Sequence, residues 1–535
     1  MPPLSAHLYK KLFFTAKNSV WILIFVAIFG LPKGGLQEQY IRNFVVYNVL
    51  FVTVWSLQGP EVAFLPRVTP GALTSPLLPG LVGLAQKTPG KRSMLSIATY
   101  LAYVAALTWA MVFPITDQLV QVLCGMCALA LVFDVGLMGF TSCDSVVMMF
   151  CFLFRDPIWG CQVVLLMMWV GNGLGKATPA WKWVISGIFK HSLLASCLPH
   201  RMWKWCFLDF SNSDKPTPSL FSRFLAWQGV GLEIIFPIFC MFPSGTLLWQ
   251  IGVYGMILYH LFICATDNGL LWQWNLKSVV NTVFMFFFKD FSFRADPYQA
   301  AFVMLMCVAP ALLGSCFRLF VPTFLGHFEG TWNHRDGIML VRKSALGNLK
   351  KLKAYLNPLY PQFLPQDCGG KNSSPEHTYM LLARLGGAWN AGNNHCLPTW
   401  RGLIAILEKW FNDTGFNPDD FVIIPALVFN NAVLGGEYRM GWLWFRECYR
   451  NALLDVCEFQ QNDFYIVQTE PVHVMPPYVV QYRIFDVSQG PLKADISATV
   501  PYEVLEENSS CDIYLQPEWV GNERSIRGTF LSTYY

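Results

Sequence analysis

The sequence predicts a polytopic α-helical membrane protein of about eight transmembrane helices with a C-terminal α+β extramembrane domain. Of its 535 residues, 54% are hydrophobic and only 13% are charged, about half the charged fraction of an average soluble domain. Lys and Arg outnumber Asp and Glu in residues 1–321, and the reverse holds in residues 322–535. We therefore predict a basic transmembrane bundle over 1–321 and a mildly acidic extramembrane domain over 322–535.

Nine apolar runs are candidate spans, because crossing a bilayer needs about 20 mainly apolar residues. They cover approximately residues 13–32, 41–58, 95–115, 118–140, 145–175, 225–243, 246–266, 276–291 and 299–321. The fifth run is interrupted by "RDP" at 155–157, so it is either two short helices or one broken helix. Eight spans is the central expectation, and nine is the alternative.

The Pro- and Gly-rich stretch "GPEVAFLPRVTPGALTSPLLPG" lies between the second and third runs. It is too broken for a helix and too apolar for a solvated linker, so we expect it at the membrane interface. The basic residues near the first spans are Lys17, Arg67, Lys87, Lys91 and Arg92. By the positive-inside rule they predict a cytosolic N-terminus, in the endoplasmic reticulum or the plasma membrane.

After residue 322 the pattern changes to that of a mixed domain. Amphipathic spacing predicts helices over 334–356 and 398–415, the second ending at a glycine, and a further helix near 440–457. Strands are predicted over 421–429, 463–472 and 478–500, and the last of these turns at "SQGP", which is typical of a hairpin. We expect this domain to dock on the membrane bundle.

Lys176, in "VGNGLGKATPAWKW", ends the apolar run that begins near Trp159. The glycines before it permit close approach of another backbone or a ligand. Desolvation in a membrane cavity would make the amine a usable base. The alternative is an ordinary helix end, with the side chain reaching towards the lipid head groups.

Glu233 and His260 are the other ionisable candidates within apolar runs. An ionisable group at membrane depth costs about 2.5–3.5 kcal/mol on insertion scales, which makes each a site hypothesis. Glu233 needs a lysine or histidine on a facing helix, and the alternative role is an interhelical hydrogen bond. His260 stands two helical turns before Asp267 and can act as acid, base or ligand. Its alternative role is that of a buried histidine with one hydrogen bond.

Several segments resemble an uncharacterised transmembrane family called domain of unknown function 3556. They are "YNVLFVTVWSLQGPEVAFLPRVTP", "VGNGLGKATPAW", "LWQWNLKSVVNTVFMF", "RADPYQA", "FEGTWNHRDGIMLVRK" and "VQTEPVHVMPPYVVQYRIFDVSQG". The resemblance extends over most of the chain and implies a membrane protein without implying a reaction. In "LLWQWN", Gln273 replaces an acid of the family pattern, which puts a role for that position in doubt.

More distantly, "NGLGKATPAW" resembles a segment of vitamin K-dependent gamma-carboxylases and of the horizontally transferred transmembrane proteins related to them. The resemblance implies that Lys176 corresponds to the lysine proposed to deprotonate the reduced quinone in those enzymes, with Trp181 five residues later. It also aligns Glu233 with an acid in an apolar helix and His260 with a histidine that closes the next one. The carboxylases' long lumenal domain has no counterpart here, so carboxylation of protein glutamates is not expected.

Two hypotheses follow. In the first, the protein is a biosynthetic membrane enzyme acting on a lipid, quinone, polyketide or terpenoid, with Lys176 as proton acceptor and Glu233 and His260 relaying or tuning the proton. In the second, it is a non-enzymatic carrier, chaperone or scaffold for lipophilic molecules or partner proteins that dock on the C-terminal domain. Membrane lipids are partners in both. The scattered basic residues argue against nucleic acid. No metal-ligand spacing stands out, and the sequence indicates no particular cofactor.

Overall fold

Each apolar run contains a helix in the computed structural model. The structure describes residues 20–30, 37–55, 64–138, 143–190, 200–211, 215–266, 272–316, 336–352, 397–425, 446–470 and 474–509, with the single residues 429, 433, 444 and 472. The helices of the first part are α1 (Val20–Phe29), α2 (Gln37–Val54), α3 (Leu65–Val68), α4 (Pro79–Ala85), α5 (Met94–Val112), α6 (Asp117–Phe133), α7 (Cys143–Cys151), α8 (Pro157–Lys176), α9 (Trp181–Lys190), α10 (His200–Phe207), α11 (Leu220–Cys240), α12 (Leu247–Thr266), α13 (Trp272–Phe286), α14 (Pro297–Val303) and α15 (Ala309–Cys316).

Shorter elements complete this part. Val135–Met138 is a 3-10 turn, and π-helical Met304–Val308 joins α14 to α15. Strands β1 (Leu208–Asp209) and β2 (Thr217–Pro218) form a small antiparallel ladder before α11.

Within the described ranges, four helices are long and apolar enough to cross a membrane: α5, α8, α11 and the Leu247–Cys264 part of α12. Three more apolar helices are shorter, over Val20–Phe29, Asp117–Phe133 and Pro297–Leu313. At 1.5 Å per residue a 17-residue helix extends about 26 Å, less than the hydrocarbon thickness of about 30 Å. The expected eight spans are therefore not confirmed, and four candidate spans stand in their place.

Helix α8 lies in the centre of the bundle. Pro157 stands in its first turn, where its missing N–H costs nothing, and the N-cap Asp156 accepts a hydrogen bond from the Trp159 backbone N–H at 3.2 Å. The "RDP" interruption thus separates two helices, α7 and α8, because the aspartate and proline start the second one. Most of α8 is buried, and it contacts α7, α11 and α13.

The described residues from 336 onwards form a five-stranded antiparallel sheet of order β4-β3-β5-β6-β7. The strands are β3 (Asp336–Arg342), β4 (Phe421–Pro425), β5 (Phe464–Glu470), β6 (Val479–Asp486) and β7 (Ile496–Pro501). Helices α16 (Leu397–Thr414), α17 (Glu447–Cys457) and α18 (Tyr502–Glu507) accompany them, with 3-10 segments at Lys343–Lys351, Pro418–Asp420 and Pro491–Lys493.

Both faces of this sheet are covered. Successive residues of a strand point to opposite faces, so Ile338 packs in the cluster that contains Trp410 of α16, while Met339 packs in the cluster that contains Leu453 of α17. The helix predicted over 398–415 is confirmed as α16, which is followed by Gly415 at a φ of +68°. The hairpin predicted over 478–500 is confirmed as β6–β7. The domain division at residue 321 lies outside the described residues and stays a prediction.

The helix predicted over 334–356 is wrong for the described residues 336–352. This segment is strand β3 followed by the 3-10 helix Lys343–Lys351. Strand β3 lies between β4 and β5 with both faces buried, so its apolar residues run on without alternation. A short continuous apolar run cannot be assigned to helix or strand by periodicity alone.

Three of the basic residues that predicted the membrane orientation are paired with carboxylates of the same chain. Arg67 and Arg92 are buried beside Asp134, with N–O distances of 3.8 and 2.5 Å. Lys91 forms an ion pair with Asp455 of α17. Because these cations neutralise carboxylates of the chain, they do not measure the charge that faces a membrane surface, and the cytosolic N-terminus stays a prediction.

The C-terminal domain contacts the membrane bundle directly. The guanidinium of Arg446 donates to the Ser75 hydroxyl at 2.9 Å and to the Pro76 carbonyl. Near α9 and α11, apolar residues of both parts share one cluster, in which Trp183 and Ala226 lie with Leu403. The junction between bundle and sheet is therefore a packed interface next to the end of α8.

Candidate functional site

The glycines before Lys176 set the spacing between α8 and α11. A Cβ on Gly173 would lie 2.9 Å from Cγ1 of Ile234 and 3.1 Å from Cβ of Glu233. Those distances are shorter than ordinary carbon contacts, so a larger residue would push the two helices apart. Glycine therefore permits the close helix approach that places Glu233 within reach of the end of α8.

Lys176 and Glu233 form a two-pronged ion pair. The Nζ of Lys176 lies 2.5 Å from Oε1 and 2.7 Å from Oε2 of Glu233. The lysine side chain is 12% exposed and that of Glu233 is 1% exposed. Tyr259 of α12 donates its hydroxyl to Oε1 of Glu233 at 3.2 Å. The facing-helix partner that Glu233 was predicted to need is thus Lys176, and its side chain is bonded to protein instead of extending to lipid.

Lys176 also lines a pocket of about 200 Å³ at the bundle–sheet junction. The pocket walls come from the end of α8, the start of α9 and the first half of α11: Lys176, Thr178, Pro179, Trp181, Lys182, Arg223, Ala226, Trp227 and Val230. The ring of Trp181 lies 5.4 Å from the Lys176 Nζ, within range of a cation–π contact. Among the described residues, the ion pair therefore presents its lysine to the pocket and keeps its carboxylate behind.

His260 does not join this ion pair. It is fully buried, and its Nδ1 lies 2.8 Å from Oδ1 of Asn275 on α13. Consecutive helical residues differ by about 100° in direction, so His260 faces α13 while its neighbour Tyr259 faces Glu233. Asp267, the predicted partner on the same face, lies outside the described residues. Of the three predicted residues, Lys176 lines the pocket, Glu233 contacts Lys176, and His260 lies apart.

A family model for a transmembrane protein of unknown function (DUF3556) matches residues 63–500. The chain belongs to this family. No curated protein matches the chain. No solved structure matches it either. The match confirms the first resemblance and extends across both the Lys176–Glu233 pair and the C-terminal sheet. The relationship to the gamma-carboxylases is not shown by these comparisons, and it stays a hypothesis.

This DUF3556 chain also holds a further buried ion pair, between α7 and α13, which the sequence reasoning missed. Lys277 of α13 lies 2.7 Å from Oδ1 of Asp144 on α7, and the two side chains are 4% and 1% exposed. Asn281, one turn after Lys277, is buried as well. The signal was present, because Lys277 and Asn281 fall inside the run 276–291 that we assigned as a span. Asp144 was missed because it stands immediately before the run 145–175 and not inside it.

Tyr259, Thr178 and Arg223 were also missed, because they are common residue types in unexceptional positions. What the site can do chemically follows from the pair: one cation at a pocket wall, a buried carboxylate behind it, and a phenol bonded to that carboxylate. Within the described ranges, no group of three or more His, Cys, Asp and Glu side chains could hold a metal ion.

Proposed function

We propose that this protein is a membrane enzyme that removes a proton from a lipophilic substrate bound in the pocket beside Lys176. One observation supports the proposal above the others: the amine of Lys176 lines the pocket while Glu233, its proton-accepting partner, is 1% exposed. A lysine kept only for interhelical contact would not need a pocket at its nitrogen.

The proton transfer balances within the pair. Lys176 passes one ammonium proton to the Glu233 carboxylate, and the resulting neutral amine takes the proton of the substrate. The substrate is left as an anion facing a cationic Lys176, and Glu233 is neutral until the product is protonated in turn. Tyr259 holds the carboxylate through Oε1, and the restricted solvent around the pair strengthens the attraction between ammonium and substrate anion. His260, whose Nδ1 lies 2.8 Å from Oδ1 of Asn275 on α13, takes no proton in this step.

The substrate is proposed to be lipophilic because one pocket wall continues into an apolar helix surface. Trp227 lines the pocket and is 67% exposed, and Leu220 and Phe224 of α11 are 79% and 62% exposed. These residues recur every three or four positions, which places them on one face of the helix. In a membrane that face contacts acyl chains, so a molecule dissolved in the bilayer can reach the pocket sideways.

The alternative is a non-enzymatic carrier, chaperone or scaffold. Exposed apolar side chains on the C-terminal domain favour it: Leu492 is 96% exposed, and Met475 and Tyr478 are 49% and 37% exposed. Partner proteins would then dock on this domain, and the buried ion pairs would only hold helices together.

The test compares lipid extracts of cells lacking the protein with cells that express wild type, K176M or K289M. Lys289 is the matched control, because it also pairs with an aspartate, Asp156 at 2.5 Å, but lies near the start of α8 and away from the pocket. We expect a product that is present with wild type and K289M and missing with K176M. The double variant K176M/E233Q, which removes both charges of this pair, checks that the loss is chemical and not a loss of fold. Product formed by K176M would refute the proposal, and identical extracts with and without the protein would favour the scaffold.

A further inference from the structure

The pocket beside Lys176 has three cationic side chains and no carboxylate among its lining residues. Two of the cations form ion pairs with glutamates that do not line the pocket: Lys176 with Glu233, and Lys182 with Glu506 of α18. Arg223, in the first turn of α11, has no carboxylate within ion-pair distance among the described residues. The pocket therefore keeps one positive charge that no acid of the described chain neutralises by contact.

Asp209 of β1, which is exposed to water, interacts with the charge of Arg223. The pKa of Asp209 is lowered mainly by hydrogen bonds from the Ser211 hydroxyl and backbone N–H, and less by the charge of Arg223. Its Oδ1 accepts both Ser211 bonds, at 2.5 and 2.9 Å. Asp209 is thus occupied by Ser211 and affects Arg223 only at longer range.

Two buried polar groups in the pocket wall have no partner among the described residues. They are the hydroxyl of Thr178 and the indole N–H of Trp181, on side chains that are each 6% exposed. Buried donors almost always have a hydrogen-bond partner in folded proteins. Both residues line the same pocket as Arg223, so an anion held by the guanidinium would lie beside two residues whose polar groups still need an acceptor.

We propose that this pocket binds the carboxylate or phosphate head group of an anionic membrane amphiphile, with Arg223, Thr178 and Trp181 as its ligands. The proposal rests on the function proposed above and names the substrate class of the same pocket. A volume of about 200 Å³ holds roughly seven water volumes, enough for a head group and too little for a long chain. The chain would lie outside, on the apolar face of α11 formed by Leu220, Phe224 and Trp227.

Binding is measured on the purified full-length protein by native mass spectrometry from a neutral detergent. The added probes are dioleoylphosphatidic acid, oleate, uncharged dioleoylglycerol and inorganic phosphate. The variants are R223Q and T178V. Arg223 is exposed, and Thr178→Val keeps the shape of the side chain, so both variants are expected to fold. R294Q is the matched control, since Arg294 is also exposed and lies beyond α13, near the start of α8.

We expect one of the two anionic amphiphiles to bind wild type and R294Q, and R223Q to bind it about tenfold more weakly or worse, as befits a lost hydrogen bond to a charged group. T178V should weaken binding in the same direction. Equal binding to R223Q and wild type, or equal binding of dioleoylglycerol, would overturn the proposal. Inorganic phosphate that binds as tightly as the amphiphiles would show a site for a free anion and would also overturn it.

The two proposals fail separately. If the amphiphile binds but cells with K176M still form the product, the proton-transfer function falls and the head-group site stands. If K176M loses the product but no anionic probe binds, the head-group site falls and the enzyme proposal stands.

Discussion

Replacing Lys277 by Met should destabilise the membrane bundle strongly, because it removes the partner of the buried Asp144 carboxylate. The side chains of Lys277 and Asp144 are 4% and 1% exposed, so water cannot hydrate either charge if its partner is removed. In the described part of the chain, Oδ2 of Asp144 accepts no hydrogen bond. In K277M the Asp144 carboxylate therefore stays buried without the ammonium that offsets its loss of hydration.

The magnitude follows from the geometry. At an N–O distance of 2.7 Å, two unit charges attract with about 6 kcal/mol at an effective dielectric constant of about 20. The loss of hydration on burial opposes this by several kcal/mol per ion, so the intact pair contributes little net stability. Removal of one partner keeps the hydration penalty of the other and loses the attraction. The expected cost of K277M is therefore about 3–5 kcal/mol.

The assay is the free energy of unfolding of purified protein in mixed micelles, titrated with SDS. The double variant K277M/D144L should recover most of the lost stability, because it buries no charge at all. K289M should cost about 0–1 kcal/mol, because the Lys289–Asp156 pair is about a third exposed. If K277M were as stable as wild type, or the double variant as unstable as K277M, the reasoning from the buried charge would be refuted.

Two further predictions concern the C-terminal domain. A Cβ on Gly90 would collide with the Cys448 carbonyl and lie 2.6 Å from Cβ of Ala452, so G90A should loosen the contact with the bundle and speed proteolysis between the two parts. The control is G80A, which should not change the rate of proteolysis because a Cβ on Gly80 meets nothing within 4 Å. Equal cleavage of the two variants would contradict the packed interface. Burial raises the pKa of the Cys457 thiol from 9.0 to about 12, so its thiolate fraction in the folded protein keeps rising about tenfold per pH unit beyond pH 9. Iodoacetamide labelling of Cys457 should rise likewise in the folded protein and level off near pH 9 in the unfolded chain, and a folded-state plateau near pH 9 would contradict the assignment.

The apolar runs predicted where helices lie but not how many of them cross a membrane. Hydropathy registers a run such as 118–140, but α6 ends at Phe133 because Asp134 leaves the helix to bind Arg67 and Arg92. Whether a run becomes a full span thus depends on a carboxylate whose partners are distant in sequence. The strand assigned as a helix near residue 338 failed for a similar reason. Its burial on both faces is decided by β4 and β5, which follow about eighty and over a hundred residues later.

In the candidate site, too, the sequence predicts that a residue needs a partner but not which residue the partner is. A lone glutamate in an apolar helix must find a cation, so the need for a partner of Glu233 follows from its sequence position alone. Which cation it finds depends on Gly173, which lets α8 approach α11 closely enough for Lys176 to be within reach. Gly173→Leu would leave both charges of the pair in the sequence and separate them in space, so it should abolish product formation as K176M does, without removing a single ionisable group.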